Sequence, residues 1–235
     1  MRPHRALVTV LEAQMTLEGR EAHHLVHVLR AREGDHLTVF DGQGGEGTAR
    51  ITSLEGDRVR LELQERHADQ REVGCEIVLY QAMLKGDQLA DLVRAATELG
   101  VTRVVPLITT HAVVKEMGAT KLERLRRIAV EAAKQCQRGR LPQMDSPIPL
   151  SQIPSPDWGV VAHPGSSVRV RDLWPPDPLP AQAALVSGPE GGFSPAEVAV
   201  LLDKGFTAVT LGRRILRAET APLALLSLLT AGEGW

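Results

Sequence analysis

Aromatic side chains are scarce in this chain, with Phe, Trp and Tyr together making up 3% of it. That argues against a nucleic-acid platform of the RRM kind, which stacks bases on exposed rings. Cysteine is nearly absent, limited to Cys75 and Cys136. Two thiols so placed have no metal-ligand spacing and give no disulfide framework, which fits a reducing, cytoplasmic setting. Net charge is only −2, so no global excess of cations announces nucleic acid, and any basic footprint must be local. No apolar run nears the about 18 residues of a membrane span. The basic start, Met1-Arg2-Pro3-His4-Arg5, leads into no unbroken apolar stretch, so neither a signal peptide nor a membrane segment is expected. What remains is ordinary for a globular protein. The chain has 235 residues, 43% hydrophobic and 24% charged, enough for one large domain or two modest ones.

Residues 1–66 read as a small β-rich module. Strand patterns fall at 7–10, 37–40, 48–52 and 58–63, the last alternating polar and apolar with period two. Asp41-Gly42, Gly44-Gly45 and Glu55-Gly56-Asp57 punctuate them as turns. Residues 21–32 form a helical pattern carrying His23, His24, His27, Arg30 and Arg32. Histidines at i, i+4 suit zinc, but no acidic or cysteine partner follows at a useful spacing. A polar, partly basic helix face is therefore the better reading, and no metal is expected. The polar stretch 64–74 marks a domain boundary, giving domains at 1–70 and 74–235.

Strand and helix patterns then alternate to the end, the mark of an α/β sheet. Strands fall at 76–84, 101–109 and 158–163, and helices at 87–99 and 120–137. The proline-rich stretches 143–156 and 174–180 read as irregular connections. On the helix over 120–137, Leu122, Leu125, Ile128, Ala129, Ala132, Ala133 and Cys136 share one side. Arg124, Arg127, Glu131, Lys134 and Arg138 share the other. A solvated face is one reading of that stripe. Its excess of cations, followed by Arg140, makes an anionic partner the other.

The last fifty residues are the most informative. A strand ending Leu185-Val186-Ser187 runs into Gly188-Pro189-Glu190-Gly191-Gly192. Ser194 is placed as an N-cap, Pro195 at the first helical position, and Glu197 as the closing member of a capping box. A second strand over 207–211 leads into Gly212-Arg213-Arg214-Ile215-Leu216-Arg217-Ala218-Glu219 and a leucine-rich final helix. Paired strand-end loops with glycines are a usual ligand site in an α/β sheet, because backbone groups can approach closely there. Two tight turns with solvated charges would also fit the pattern.

The runs 187–192 and 211–221 also resemble the C-terminal signature of the RsmE family. These are SPOUT-class, trefoil-knot methyltransferases that use S-adenosylmethionine to methylate N3 of one uridine in small-subunit (16S) ribosomal RNA. Residues 131–142 are similar to a further family run, and Val28-Leu29-Arg30 with Gly34-Asp35 and Phe40-Asp41-Gly42 to its N-terminal PUA-like barrel. The chain departs from the family at Ala95, where relatives usually carry lysine. The resemblance implies an α/β fold: a C-terminal SPOUT α/β-knot methyltransferase domain behind an N-terminal PUA-like β-barrel, assembled as a homodimer. It places S-adenosylmethionine against Leu211, Gly212, Ile215 and Leu216, with Gly188, Pro189, Glu190, Gly191, His163 and Pro164 completing the pocket. It implies catalytic roles for Arg217 and Glu190 and RNA contacts by Arg2, Arg5 and Arg30. Together with the cationic stripe it adds Arg124, Arg127, Lys134 and Arg138, with ribosomal RNA, in the assembled subunit, as the partner.

Two other functions stand beside that one. A non-catalytic RNA-binding assembly factor would not need the intact glycine loop. A small-molecule α/β enzyme binding phosphate there is disfavoured by the acidic Glu190 and by the lack of a following Gly-Lys-Ser/Thr. A methyltransferase of the same class acting on another RNA is a further alternative.

Overall fold

The computed structural model describes residues 4–68, 71–72, 74–173 and 180–231. Two compact units emerge: residues 1–72 with 133–141, and residues 73–132 with 142–235. The short segment 133–141, read from sequence as part of the second domain, thus groups with the first.

The first unit holds β1 (Arg5–Leu7), β2 (Gln14–Glu18), α1 (Gly19–His23), β3 (His36–Phe40), β4 (Gly45–Glu55) and β5 (Arg58–Ala68). They form one strongly curled, half-barrel sheet in the order β1-β3-β4-β5-β2. Period-two alternation turns Leu37, Val39, Ala49, Ile51, Val59 and Leu61 inward, where Met15, Leu17 and Leu25 join them in one core. Strand β2 escaped the sequence reading, although its buried positions alternate over five residues. Strand β5 runs on to residue 68 through the stretch taken as linker, paired with β4. The helical stretch is shorter than its pattern: α1 passes into a π turn over His24–Val28, and Arg30 then takes a positive φ of 53°.

Several cations of the first unit face inward rather than toward solvent. The Arg5 guanidinium donates to Glu46 at 2.9 Å and to the Arg138 carbonyl at 3.1 Å, and lies 5.0 Å from the centre of the Phe40 ring. Arg138 is only 3% exposed and meets both oxygens of Glu72, at 3.0 and 2.7 Å. Lys134 is held by both oxygens of Glu21. The buried Glu46 and the half-buried Glu21 and Glu72 pair with these charges, because a charge withdrawn from water must be paired. Arg5, Lys134 and Arg138, expected to contact RNA, thus each have a carboxylate partner within this unit; Arg30 is exposed, and Arg2 lies outside the described residues. Burial alone would raise the Glu46 carboxyl, yet Arg5 and then Arg71 hold it below the usual carboxylate range. No acidic partner follows the histidines at a useful spacing in sequence, yet the fold brings one to them. Asp57, in the β4–β5 turn, stands 3.0 Å from His27 and 3.6 Å from His23, and no local spacing announces it.

The second unit contains β6 (Glu76–Ala82), α2 (Gln88–Glu98), β7 (Arg103–Ile108), α3 (Ala119–Cys136), β8 (Gln143–Met144), β9 (Ile148–Pro149), β10 (Gly159–Ala162), β11 (Gln182–Ser187), α4 (Pro195–Asp203), β12 (Thr207–Val209) and α5 (Thr220–Ala231). The last turn of α3 falls in the segment grouped with the first unit. The sheet order is β12-β10-β11-β6-β7-β8, with β9 also on β7, and every pairing is parallel. Strands β8 and β9 occupy a proline-rich stretch whose composition suggests only an irregular connection. A parallel sheet must be covered on both faces. Ile77, Leu79, Val104, Val160 and Leu185 pack with Leu89, Leu125 and Leu226 on one face. Val78, Val105, Val161 and Val186 pack with Leu201 and Phe206 on the other.

Candidate active site

Parallel strands end on one edge of their sheet, and here β10, β11 and β12 deliver three loops to the same place. His163 and Pro164 follow β10, the glycine loop 188–192 follows β11, and Thr210 and Leu211 follow β12. With the segment 214–219 they line a cavity of about 730 Å³, within the roughly 300–1,000 Å³ of small-molecule sites. Of the residues expected to hold a cofactor, His163, Pro164, Gly188, Pro189, Glu190, Gly191, Leu211, Ile215 and Leu216 lie on its wall, as does Arg217. Gly212 does not line it. Its φ of 123° instead turns the chain from β12 into the basic loop.

The glycine loop is fixed by its neighbours. A Cβ on Gly188 would lie 3.2 Å from the Phe193 ring, and one on Gly191 would lie 3.0 Å from His111 Cβ. Both positions are tight, so a side chain at either would have to push Phe193 or His111 aside, whereas glycine leaves the backbone itself on the cavity wall. The Gly192 N–H closes a tight turn on the Pro189 carbonyl at 2.9 Å, and the Glu190 carboxylate accepts the Lys85 N–H at 3.3 Å.

Glu197 anchors the loop from behind. The capping box forms as the sequence indicates: the Glu197 N–H donates to Ser194 Oγ, and the Ser194 N–H donates to Glu197 Oε2 at 2.8 Å. The other oxygen, Oε1, accepts the Thr110 N–H at 2.7 Å. One carboxylate therefore joins the entry of α4 to the loop after β7. Burial would raise its pKa, but backbone donation from Ser194 and Thr110, with hydrogen bonding to their side-chain groups, outweighs burial and leaves it lowered.

Charge gathers at the cavity rim. Arg217 is 85% exposed and lies 3.8 Å from Glu219, so its guanidinium points outward at the mouth rather than into a dry interior. Its carbonyl accepts the N–H groups of Thr220 and Ala221 and starts α5. Arg214 and the 84%-exposed Ile215 share the rim. On α3, Arg127 is exposed, whereas Arg124 donates to Asp87 at 2.5 Å and holds that carboxyl below its usual range.

Sequence reasoning missed Gln88, Phe193 and Ala218, which also line the cavity. Gln88 opens α2, and its buried Oε1 has no hydrogen-bond partner among the described residues. A buried amide oxygen without a donor on a cavity wall is a feature that a bound polar ligand would satisfy. Glycine approach and signature arginines were legible locally. Gln88 arrives from a strand-end more than a hundred residues earlier and carried no local signal.

Comparison with known proteins places these features. A family described as an RNA methyltransferase domain matches residues 71–230, and one described as an RNA methyltransferase PUA domain matches residues 17–64. The chain is 35% identical over 232 residues to the ribosomal RNA small subunit methyltransferase E of Synechocystis sp., covering 94% of this chain and 74% of that one. With the protein of the same name from Bacillus subtilis it shares 32% identity over 228 residues, covering 90% and 88%. Among solved structures, a Legionella pneumophila protein in complex with the bound cofactor SAM has a TM-score of 0.90 at 32% identity, covering 98% of each chain. The ribosomal RNA small subunit methyltransferase E of Neisseria gonorrhoeae, bound to S-adenosyl methionine, gives 0.87 at 31%, covering 97% and 96%.

Proposed function

From the premise that the chain belongs to the ribosomal RNA small subunit methyltransferase E family, we propose that it transfers a methyl group from S-adenosylmethionine to N3 of one uridine in small-subunit ribosomal RNA. The observation that carries this reading is the cavity at the ends of β10, β11 and β12, walled by glycine backbone and rimmed by arginines. The residues present fit the cofactor: crowded glycines leave backbone groups bare, and the Gln88 amide oxygen lacks a donor. When bound, S-adenosylmethionine supplies an activated methyl on a sulfonium, so the protein's contribution is mainly alignment. His163, Pro164, residues 188–191, Leu211, Ile215 and Leu216, all on the cavity wall, would hold it.

Uracil N3 carries a weakly acidic proton that must leave as the N–C bond forms. Arg217 stabilises the negative charge that develops on the ring, or holds the adjoining phosphate. Glu190, on the glycine loop, serves as the carboxylate that accepts the proton. Residues 1–70, with Arg30, and the α3 arginines Arg124 and Arg127 contact the RNA, while residues 74–235 perform the transfer. The protein works as a cytoplasmic homodimer on the assembled subunit, with exposed Ile215 and Leu228 as apolar candidates for the subunit interface. Sedimentation equilibrium at micromolar concentration tests the dimer, and a monomer there removes it.

The activity is tested with methyl-labelled S-adenosylmethionine and unmodified small-subunit RNA, free or assembled, followed by nucleoside mass spectrometry. Labelled 3-methyluridine is the expected product. Label on another nucleoside overturns the N3 assignment alone, whereas no transfer to either substrate overturns the enzymatic reading.

A further inference from the structure

Methyl transfer leaves one cluster of side chains in the first unit without a role. His23 ends α1 and His27 lies in the π turn that follows, four residues on, so the two imidazoles project from neighbouring positions of one helical stretch. Asp57 comes to them from the β4–β5 turn. Its Oδ1 lies 3.0 Å from His27 Nε2 and 3.6 Å from His23 Nδ1, and the two ring centroids are 4.5 Å apart. All three donor atoms lie within 4.8 Å of one another, and this is the one such group among the described residues.

Hydrogen bonding accounts for only part of this arrangement. His27 and Asp57 are within bonding range, but His23 at 3.6 Å is too far for a good bond to the same oxygen. Two imidazoles aimed at one carboxylate oxygen make an incomplete hydrogen-bond set and a well-matched ligand set. For metal bonds of about 2.0–2.1 Å, tetrahedral geometry separates neighbouring donors by about 3.3 Å. The observed 3.0 and 3.6 Å bracket that value. An imidazole-rich N,N,O set suits zinc, nickel or copper, whereas magnesium and calcium require oxygen ligands. The three side chains are 59%, 53% and 60% exposed, so an ion can enter from solvent and water can complete its coordination. The π turn adds to the case, since such turns concentrate at functional sites.

We propose that His23, His27 and Asp57 form a site for one divalent transition-metal ion of the zinc class, with the remaining position open to solvent. Occupancy would pin the π turn to the β4–β5 hairpin, joining two segments of the curled sheet domain that are about thirty residues apart in sequence.

Calorimetric titration of the full-length protein, first stripped with chelator, tests the site with zinc chloride, and with magnesium chloride as the control. One saturable zinc event per chain is expected, with magnesium silent. His23→Ala, His27→Ala and Asp57→Asn should each weaken zinc binding by about tenfold or more, since loss of a residue that merely orients a metal ligand already costs about 10–100-fold. Zinc should raise the melting temperature of the parent protein and not of Asp57→Asn. All three side chains are solvent-exposed, so melting curves of the metal-free variants should match the parent and show that they fold. Zinc binding of unchanged strength in the three variants would place the ion elsewhere, and zinc bound no more tightly than magnesium would remove the site.

Discussion

Arg217→Ala separates a chemical role from a structural one, and the geometry sets both magnitudes. The guanidinium is 85% exposed and 3.8 Å from Glu219. An ion pair so open to water contributes about 0–1 kcal/mol, because solvent screens it and both side chains lose freedom in forming it. At about 2–4 °C per kcal/mol for a chain of this size, melting temperature should fall by no more than about 4 °C. The start of α5 should persist, because Thr220 and Ala221 donate to the Arg217 backbone carbonyl rather than to its side chain. The methyl-transfer step, in contrast, should slow by about 10–1,000-fold, by analogy with the loss of other electrostatic stabilisers. That benefit requires exclusion of water, which at this rim a covering RNA would provide. The loss should therefore be largest with the complete subunit and smaller with short RNA fragments. Arg217→Lys, which keeps the charge without the planar fork, should lie between. Single-turnover methylation at saturating RNA and S-adenosylmethionine, beside calorimetry of cofactor binding, measures the split. A parent-like single-turnover rate in folded Arg217→Ala protein would refute the catalytic role. A joint fall in cofactor affinity and melting temperature would assign the residue to structure.

Glu197→Ala should cost about 2 kcal/mol, combining removal of a capping box with removal of a charge-assisted bond to the Thr110 N–H, and should lower melting temperature by about 4–8 °C. Glu197→Gln should recover only part of this, because its NH₂ would face a backbone N–H; a gain equal to the glutamate's would discount the clamp between the two loops. The Glu46 carboxyl is depressed in the fold relative to its ordinary value of 4.5, so its contribution is complete above that pH and disappears as pH falls through the lower folded value. Acid titration followed by circular dichroism should show a shallower loss in Glu46→Gln, and identical acid limbs would count against the Arg5 and Arg71 pairing. On α3, Arg127→Glu should weaken RNA binding more than Arg124→Glu, because Asp87 already partners Arg124. For every RNA phosphate that a variant no longer neutralises, the log–log salt slope should fall by about 0.7–0.9, and an unchanged slope in the double variant returns this helix to a solvated surface.

What the sequence made legible was local. The capping box of Ser194 and Glu197, the close-packed glycines and the alternation of β5 each depend on residues within a few positions, where steric and hydrogen-bond rules operate without knowledge of the fold. The strand–helix alternation likewise announced an α/β sheet. What stayed hidden was the remote partner. The cationic stripe gave no sign that Arg138 meets Glu72, 66 residues away, and nothing near Arg5 announced Glu46, 41 residues off. Charge on a helical wheel cannot reveal whether a distant carboxylate will bury it. The same limit hid Asp57 from the histidines and Gln88 from the cavity. Strand β2 was missed for another reason: five alternating residues beside a helical pattern give too short a window to separate the two periods.

The placement of β11 bears on how the protein is made. This strand, Gln182–Ser187, lies between β6 and β10 near the middle of the sheet, although translation delivers it after β6, β7 and β10. Until it emerges, β6 presents an unpaired apolar edge whose residues 77–82 are all buried in the finished fold. Such an edge invites association with other nascent chains. Helices α2 and α3 can begin to collapse on one face of β6 and β7, but α4, which covers the other, and β11 itself come later, so the sheet cannot close until residue 187 has left the ribosome. Messages truncated before residue 182 should thus yield aggregation-prone products rather than smaller folded proteins. The cavity is completed by loops after β11 and β12, so it forms only once residues 188–219 have been made. Capacity to bind its ligand therefore reports that synthesis has passed the final loop.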